Sequence, residues 1–126
     1  MSEIERHLAE VRSHLRRLGP ADAARAVEAG ALLVDIRPVG LRDRDGTIPG
    51  ALVIDRNVLE WRLDPTSPDR INEIETTEQT VILMCDEGYA SSIAARSLQS
   101  IGLAEATDLV GGFQAWVRAG LPVATP

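Results

Sequence analysis

Short apolar runs separated by helical patterns most constrain the fold of this chain. The runs are ALLVDIR at 31–37, ALVI at 51–54, TVILMC at 80–85 and DLV at 108–110. The first three are largely apolar instead of alternating with polar residues, which is typical of strands that are covered on both faces. The sequence therefore predicts an α/β fold with a central parallel β-sheet flanked by helices.

The segments between these runs have helical periodicity, and glycine follows three of them, as is common just beyond a helix end. Ser67 and Pro68 predict the cap and first turn of a further helix. Within the short helix expected after the second run, Leu59 and Trp61 are expected to pack inward. The helices are predicted at 20–29, 57–63, 67–74, 91–101 and 113–119.

An additional amphipathic helix is predicted at the N-terminus. Ser2 and Glu5 have the spacing of a capping box. We expect this helix, within residues 1–19, to pack on a domain formed by residues 20–124. Pairing with a second copy is the alternative, so the expected state is a monomer or a weak homodimer. The apolar stripe recurs at steps of three and four, through Ile4, Leu8, Val11, Leu15 and Leu18.

Composition and charge argue against several kinds of partner. The 126-residue chain has a net charge of −6 and no run of basic residues, which argues against nucleic acid and anionic membranes. No apolar stretch approaches the length of a membrane span, and the charged N-terminus lacks the apolar core of a signal peptide. A lone cysteine cannot form an internal disulfide, so a cytoplasmic protein is predicted.

Cys85 is the only cysteine, and it stands where the third run is predicted to lead into a helix. Ligand sites collect at the carboxyl ends of strands in such sheets, and a short loop can direct backbone N–H groups at an anion. Gly88 allows a tight loop, and Ser91 or Ser92 is the expected helix cap. Such a cradle favours the thiolate form of Cys85. The alternative is a buried, inert core cysteine.

The rest of the chain limits the chemistry open to Cys85. The only histidines, His7 and His14, fall on one face of the first predicted helix and are expected to be solvated, so no Cys–His pair is predicted. One cysteine and two histidines form no zinc pattern, and Gly111-Gly112 lacks the lysine of a phosphate-binding loop. No metal or cofactor is expected. Sulfane-sulfur transfer fits, because a thiolate can attack a donor sulfur and hold it as a persulfide without a histidine base.

Three segments, in order along the chain, resemble signatures of the rhodanese (thiosulfate sulfurtransferase) family. They are LLVDIRPVGLRDRDGTIPGALVI at 32–54, CDEGYASS at 85–92 and LVGGFQAWVRAGLPV at 109–123. The resemblance implies a single rhodanese-like domain in which Cys85 is catalytic and carries the persulfide. It also implies that the loop contacts the substrate, through Asp86, Glu87, Gly88, Tyr89, Ala90, Ser91 and Ser92.

The resemblance also implies roles for residues outside the loop. Asp35 and Arg37 are expected beside the loop or in a supporting network, and a surface ion pair after a strand is the alternative. Gly111, Gly112 and Trp116 are expected to serve packing and not chemistry.

The loop departs from the family's pattern. Its sixth position is Ala90, where many members have Arg, Ser or Thr, and Asp86 and Glu87 make it acidic. The resemblance therefore implies persulfide carriage more firmly than the use of thiosulfate. Arg56 and Arg62 are possible substrate contacts that would supply the missing positive charge, and the alternative is that both lie on a surface helix.

The leading hypothesis is a sulfurtransferase that moves sulfane sulfur from thiosulfate or a persulfide to a thiophilic acceptor such as cyanide, a small thiol or a protein thiol. The alternative is a non-catalytic binding or regulatory module built on the same fold. A phosphatase or arsenate reductase is disfavoured, because those enzymes resemble a Cys-x-x-x-x-x-Arg pattern and Ser91 stands in place of the arginine.

Overall fold

The computed structural model describes all residues from 1 to 126. Its centre is a four-stranded parallel sheet in the order β2-β1-β3-β4. The predicted α/β fold with a parallel sheet is confirmed. The strands are β1 (Leu32–Asp35), β2 (Leu52–Val53), β3 (Val81–Met84) and β4 (Ala106–Asp108).

Six helices surround the sheet, and a 3-10 turn at Arg56–Val58 precedes the fourth. None of the six combines the length and the apolar character needed to cross a bilayer. The helices are α1 (Glu3–Arg12), α2 (Pro20–Glu28), α3 (Val39–Asp45), α4 (Leu59–Leu63), α5 (Ala90–Ser100) and α6 (Gly112–Arg118).

The side chains of β3 alternate between two cores, one on each face of the sheet. Val81 and Leu83 pack with residues of α4 and α5, whereas Ile82 and Met84 pack with residues of α2 and α6. All four are fully buried, which explains why this run is apolar at every position. Cys85 continues the alternation and lies on the face covered by α5.

The N-terminal helix begins as predicted and ends sooner. Ser2 forms the capping box with Glu5, but α1 stops at Arg12, so the expectation that the helical stripe continues to Leu18 is wrong. Leu18 instead lies beside β4, where its N–H donates to the Asp108 carbonyl at 3.1 Å and its carbonyl accepts from Val110 at 2.8 Å. Unpaired backbone groups at a sheet edge require partners, and the extended chain supplies them.

The two histidines do not share a helix face, because His14 lies beyond the end of α1. Both are exposed, as expected. His14 is paired with Glu10, with an Nε2–Oε1 distance of 3.1 Å.

Two local predictions on the segment after β2 are wrong. Residues 67–74 form turns and not a helix. The Ser67 hydroxyl accepts from the Asp69 N–H at 3.1 Å, a local bond that competes with helix formation. In α4, Leu59 is fully buried as expected, but the Trp61 side chain is 58% exposed.

The helix α3 had no sequence signal. Its segment VGLRDRD lacks an apolar stripe and buries no side chain fully. The helix follows Pro38, and Arg42 donates back to the Arg37 carbonyl, so local capping and not burial defines it.

Candidate active site

Cys85 stands directly after β3 and opens the Cys85 loop, residues 85–90. Its sulfur accepts hydrogen bonds from the backbone N–H groups of Gly88, at 3.2 Å, and Ser91, at 3.4 Å. Gly88 has a φ of +87°, and a Cβ there would lie 2.7 Å from the nitrogen of Gly111. Only glycine suits both the conformation and the space. The loop therefore directs backbone donors at the thiol, as a nest does for an anion.

The N-terminal end of α6 supports the loop from its other side. Phe113 donates its N–H to the Cys85 carbonyl at 2.9 Å, and Gln114 donates to the Asp86 carbonyl at 3.1 Å. A Cβ on Gly112 would lie 2.5 Å from the Cys85 carbonyl oxygen. Gly112 therefore allows α6 to approach the loop closely, a packing role that fixes the carbonyls outward and the N–H groups inward.

Ser91 and Ser92 bind a carboxylate and do not cap the helix. The helix α5 begins at Ala90 after Tyr89, with no side-chain cap, so the expected capping role is wrong. Each hydroxyl lies 2.7 Å from Oδ2 of Asp108 and donates to it, because a carboxylate only accepts. Ser91 Oγ also lies 3.3 Å from the sulfur of Cys85 and accepts the thiol proton when the thiol is neutral.

Asp108, at the end of β4, is fully buried. Arg17 binds both of its oxygens, with Nε at 2.8 Å from Oδ1 and Nη2 at 3.2 Å from Oδ2. This fork geometry compensates the buried charge, which would otherwise be costly. A chain of contacts therefore runs from Arg17 through Asp108 and Ser91 to the sulfur.

Asp35 and Arg37 form an ion pair whose side chains are both fully buried, with Nη2 2.9 Å from Oδ2. The surface-pair interpretation is therefore wrong. Arg37 also donates to the Gly46 carbonyl at 2.8 Å, and its guanidinium carbon lies 3.8 Å from the centroid of the Phe113 ring. The pair ties β1 to the end of α3 and to α6, and Arg37 forms part of the wall beside Cys85.

A cavity of about 410 Å³, the Cys85 cavity, opens beside the thiol. Its surface is mainly apolar, and Tyr89, 59% exposed, stands in its wall. Cys85 itself is 8% exposed, so the thiol is nearly buried but faces this space. The wall is formed by Ile36, Arg37, Pro38, Leu41, Arg56, Cys85, Asp86, Glu87, Tyr89 and Ala90.

The two arginines singled out in the sequence have different positions. Arg56 lines the Cys85 cavity and pairs with Glu60, with an Nη1–Oε1 distance of 2.9 Å. Arg62 is exposed and donates to the Asp69 carbonyl at 2.6 Å, and it is not among the cavity residues. The structure therefore brings Arg56 to the site and leaves Arg62 outside it.

The side chains of Asp86 and Glu87, the acidic residues of the loop, form no hydrogen bond with the Cys85 sulfur. Asp86 accepts from the side chain of Gln114 at 3.0 Å, and Glu87 is exposed. The same Gln114 amide donates to Asp45 at 3.2 Å. The hydrogen bond from Arg44 lowers the pKa of the Asp45 carboxyl, so a negative charge stays near Asp86.

Sequence reasoning missed three residues of this network, which are Arg12, Arg17 and Asp108. Asp108 carried a weak signal, since it belongs to a predicted strand and parallel strands end at one edge of the sheet. The two arginines carried none, because nothing in a helical pattern indicates which distant loop its polar residues will reach.

Residues 19–119 match the model of the rhodanese-like domain family. The chain belongs to this family. The resemblance noted in the sequence is thereby confirmed, and the Cys85 loop is the loop that follows the third strand of a rhodanese-like domain.

Curated relatives of this rhodanese-like protein carry sulfurtransferase names. A sulfurtransferase from Allochromatium vinosum is 33% identical over 96 residues, which span 75% of this chain and 79% of that protein. A thiosulfate sulfurtransferase GlpE from Haemophilus influenzae is 28% identical over 110 residues, spanning 87% and 95% respectively. These relatives support a sulfurtransferase-type function.

Solved structures share the whole architecture. A protein of unknown function from Rhodopseudomonas palustris, called a possible tyrosine phosphatase, is 33% identical with a TM-score of 0.86 and covers 98% of this chain and 96% of its own. The polysulfide-sulfur transferase homodimer of Wolinella succinogenes has a TM-score of 0.77 at 19% identity, covering 97% and 87%. The second likeness shows the fold alone.

Proposed function

We propose that this protein is a sulfurtransferase that carries sulfane sulfur as a persulfide on Cys85. The observation that best supports this proposal is the pair of backbone N–H groups that bind the Cys85 sulfur at 3.2 and 3.4 Å. Such donors stabilise a thiolate and a persulfide anion more than a neutral thiol, and they require no histidine base.

The transfer proceeds in two steps. The Cys85 thiolate attacks the sulfane sulfur of the donor, a sulfur–sulfur bond forms to Cys85, and the donor's own bond to that sulfur breaks with its electron pair. With thiosulfate the leaving group is sulfite, and with an organic persulfide it is a thiolate. A thiophilic acceptor then attacks the outer sulfur, and Cys85 leaves as thiolate. With cyanide the product is thiocyanate.

The surroundings of Cys85 favour an organic persulfide over thiosulfate as donor. Arg37 and Arg56 are both paired with carboxylates, and Asp86 and Glu87 add negative charge at the cavity wall. A dianion is repelled by such a setting, whereas a small or protein persulfide with an apolar body suits an apolar wall. The acceptor is a small thiol or a protein thiol in the same proposal.

The proposal also includes a cytoplasmic location and a rhodanese-like domain of residues 20–124 that carries Cys85. A lone unpaired thiol suits a reducing compartment.

The test is the intact mass of the reduced protein after incubation with thiosulfate, and separately with a small-molecule persulfide. Cys85→Ser is the matched control. Gain of one sulfur atom that cyanide removes, and that the variant never acquires, supports the proposal. A folded protein that gains no sulfur from either donor contradicts it and favours the binding-module alternative.

The phosphatase suggestion attached to the Rhodopseudomonas palustris structure has a weaker basis in this chain. Ser91 occupies the position at which a Cys-x-x-x-x-x-Arg loop has its arginine. The nearest following arginine, Arg96, donates to Gln99 at 3.1 Å on the same helix. We expect no hydrolysis of p-nitrophenyl phosphate above that of Cys85→Ser, measured by release of p-nitrophenol.

A further inference from the structure

Two arginines from the N-terminal segment, residues 1–18, bind the outer side of the Cys85 loop. Arg12 donates Nη2 to the carbonyl of Gly88 at 2.7 Å, and Arg17 donates Nη2 to the same oxygen at 3.0 Å. Arg12 also donates Nε to Ser92 at 3.1 Å. Both arginines precede residue 19, where the match to the rhodanese-like domain begins.

These contacts determine the direction of a further backbone donor. In a planar trans peptide the C=O and N–H point in opposite directions. The Gly88 carbonyl faces the two guanidinium groups, so the N–H of Tyr89, in the same peptide unit, points away from them. That N–H has no acceptor in the protein, and Tyr89 belongs to the cavity wall. It therefore remains unpaired on the side of the loop that faces away from the two arginines.

Arg17 also acts through the buried carboxylate. Its fork on Asp108 compensates a negative charge that lies one hydroxyl group away from the sulfur, since Ser91 bridges the two at 2.7 and 3.3 Å. Without Arg17, the Asp108 carboxylate would oppose ionisation of the thiol.

The charged groups around Cys85 come from every element packed against it. The cations Arg37 and Arg56 have carboxylate partners outside the loop, and Asp86 and Glu87 oppose a thiolate. Asp108 and the phenol of Tyr89 complete the titratable set. Arg17, Arg37 and Arg56 each pair with a carboxylate. Arg12 instead directs its hydrogen bonds to the loop and to Ser92.

We propose that Arg12 and Arg17 are positioning residues that orient the donors of the Cys85 loop and favour the thiolate. The N-terminal segment is then a working part of the site and not a packing extension. The persulfide step of this inference rests on the proposed function, but the ionisation of the thiol does not.

The experiment measures the rate of alkylation of Cys85 by iodoacetamide across pH 5 to 9, followed by intact mass. The variants are Arg12→Met, Arg12→Lys and Arg17→Met, with Arg16→Met as the matched control, since Arg16 is exposed and makes no hydrogen bond to the loop. Circular dichroism establishes that each variant is folded.

We expect alkylation of Arg12→Met at pH 6 to fall by about threefold to tenfold, the range for loss of one ordinary hydrogen bond. The curve for this variant shifts to higher pH without a change in its plateau. Arg12→Lys keeps a cationic donor and recovers part of the rate, and Arg16→Met matches the parent protein. Arg17→Met shifts the curve at least as far.

A merely structural role leaves the pH profile in place. Folded Arg12→Met with the parent protein's profile overturns the inference, even if Arg17→Met fails to fold. Sulfur loading from a small-molecule persulfide separates the two proposals. If the parent protein gains no sulfur while the profiles shift, the proposed function fails and the positioning role stands. If the parent protein gains sulfur while the pH profiles of parent and variants coincide, the positioning role fails and the proposed function stands.

Discussion

The hydroxyl group of Ser91 lies between a thiol and a buried carboxylate, and its chemistry follows from those two neighbours. Its single proton goes to Asp108, so it offers lone pairs to the thiol of Cys85. In the sequence the same serine is a natural helix cap. The sequence places this serine six residues after Cys85 but does not identify its partner, because Asp108 is 17 residues away.

At the scale of single residues, Arg56 and Arg62 can be compared, because one lines the Cys85 cavity and the other does not. We expect Arg56→Ala to raise KM for a small-molecule persulfide, the donor proposed above, by about threefold to tenfold, since its charge lines the Cys85 cavity. Arg62→Ala leaves KM unchanged, because Arg62 donates to Asp69 outside that cavity. Steady-state assay of thiocyanate release measures both. Equal effects of the two substitutions contradict the assignment of Arg56 to the site.

The packing of α6 against the Cys85 loop requires close approach of the two backbones as well as burial of side chains. The start of α6 meets the carbonyls of Cys85 and Asp86 because Gly112 has no side chain, with a φ of +60°. The family resemblance anticipated a packing role for this glycine. The surface it packs against is revealed by the fold.

We expect Gly112→Ala to lower the free energy of unfolding by about 2–4 kcal/mol, since a left-handed conformation and a backbone clash combine. Gly40→Ala is the control: it lies in α3, and a Cβ there meets nothing within 4 Å. The control is expected to be unchanged or up to about 1 kcal/mol more stable. Urea unfolding measures both, and a Gly112→Ala protein as stable as the parent contradicts the close-approach argument.

A second element-scale prediction concerns the contact between α4 and α5. Partial burial raises the pKa of the Glu60 carboxyl, but hydrogen bonds from Ser97 and Arg56 outweigh it, and the pKa lies below its ordinary value of 4.5. A lowered pKa means that the folded protein binds the proton more weakly than the unfolded chain. The stabilisation is therefore full above about pH 4.5 and is lost as pH falls through the folded-state pKa.

Glu60→Gln is accordingly expected to be less stable than the parent at pH 7, by less than about 1 kcal/mol. The difference narrows as the pH falls below 4.5. Urea unfolding at pH 7 and pH 3 measures this. Glu78→Gln, at an exposed position, is the control and shows no such pH-dependent difference. A stability difference that grows towards low pH would mean that the Glu60 pKa is raised by folding and not lowered.

Two charge pairs at the site, one partly and one fully buried, contact segments that are distant in sequence. Arg17 and Asp108 connect the N-terminal segment to β4, and Asp35 and Arg37 connect β1 to α3 and α6. Buried pairs add little net stability, but removal of one member leaves a buried charge alone. They therefore fix how the elements are placed relative to one another.

We expect Arg37→Met to cost about 3–5 kcal/mol of unfolding free energy, because Asp35 is left buried without compensation. The double variant with Asp35→Asn recovers part of that loss, since no bare carboxylate remains. A double-mutant cycle by urea unfolding measures the coupling. Arg44→Met, which breaks an exposed pair with Asp45, is the control and leaves the unfolding midpoint in place. A cycle with no coupling contradicts the argument.

The sequence by itself determined the α/β class, the parallel strands and the position of Cys85 at a strand end. Apolar runs and strand–helix alternation depend on local pattern, which a single chain displays. It also determined the family, through three ordered segments that the match over 19–119 confirms. The tertiary structure alone decided that α1 ends at Arg12, that Ser91 and Ser92 bind Asp108, and that two N-terminal arginines reach the Gly88 carbonyl. Those hydrogen bonds join residues 16 to 76 positions apart, and no local period or propensity encodes a partner at such a distance.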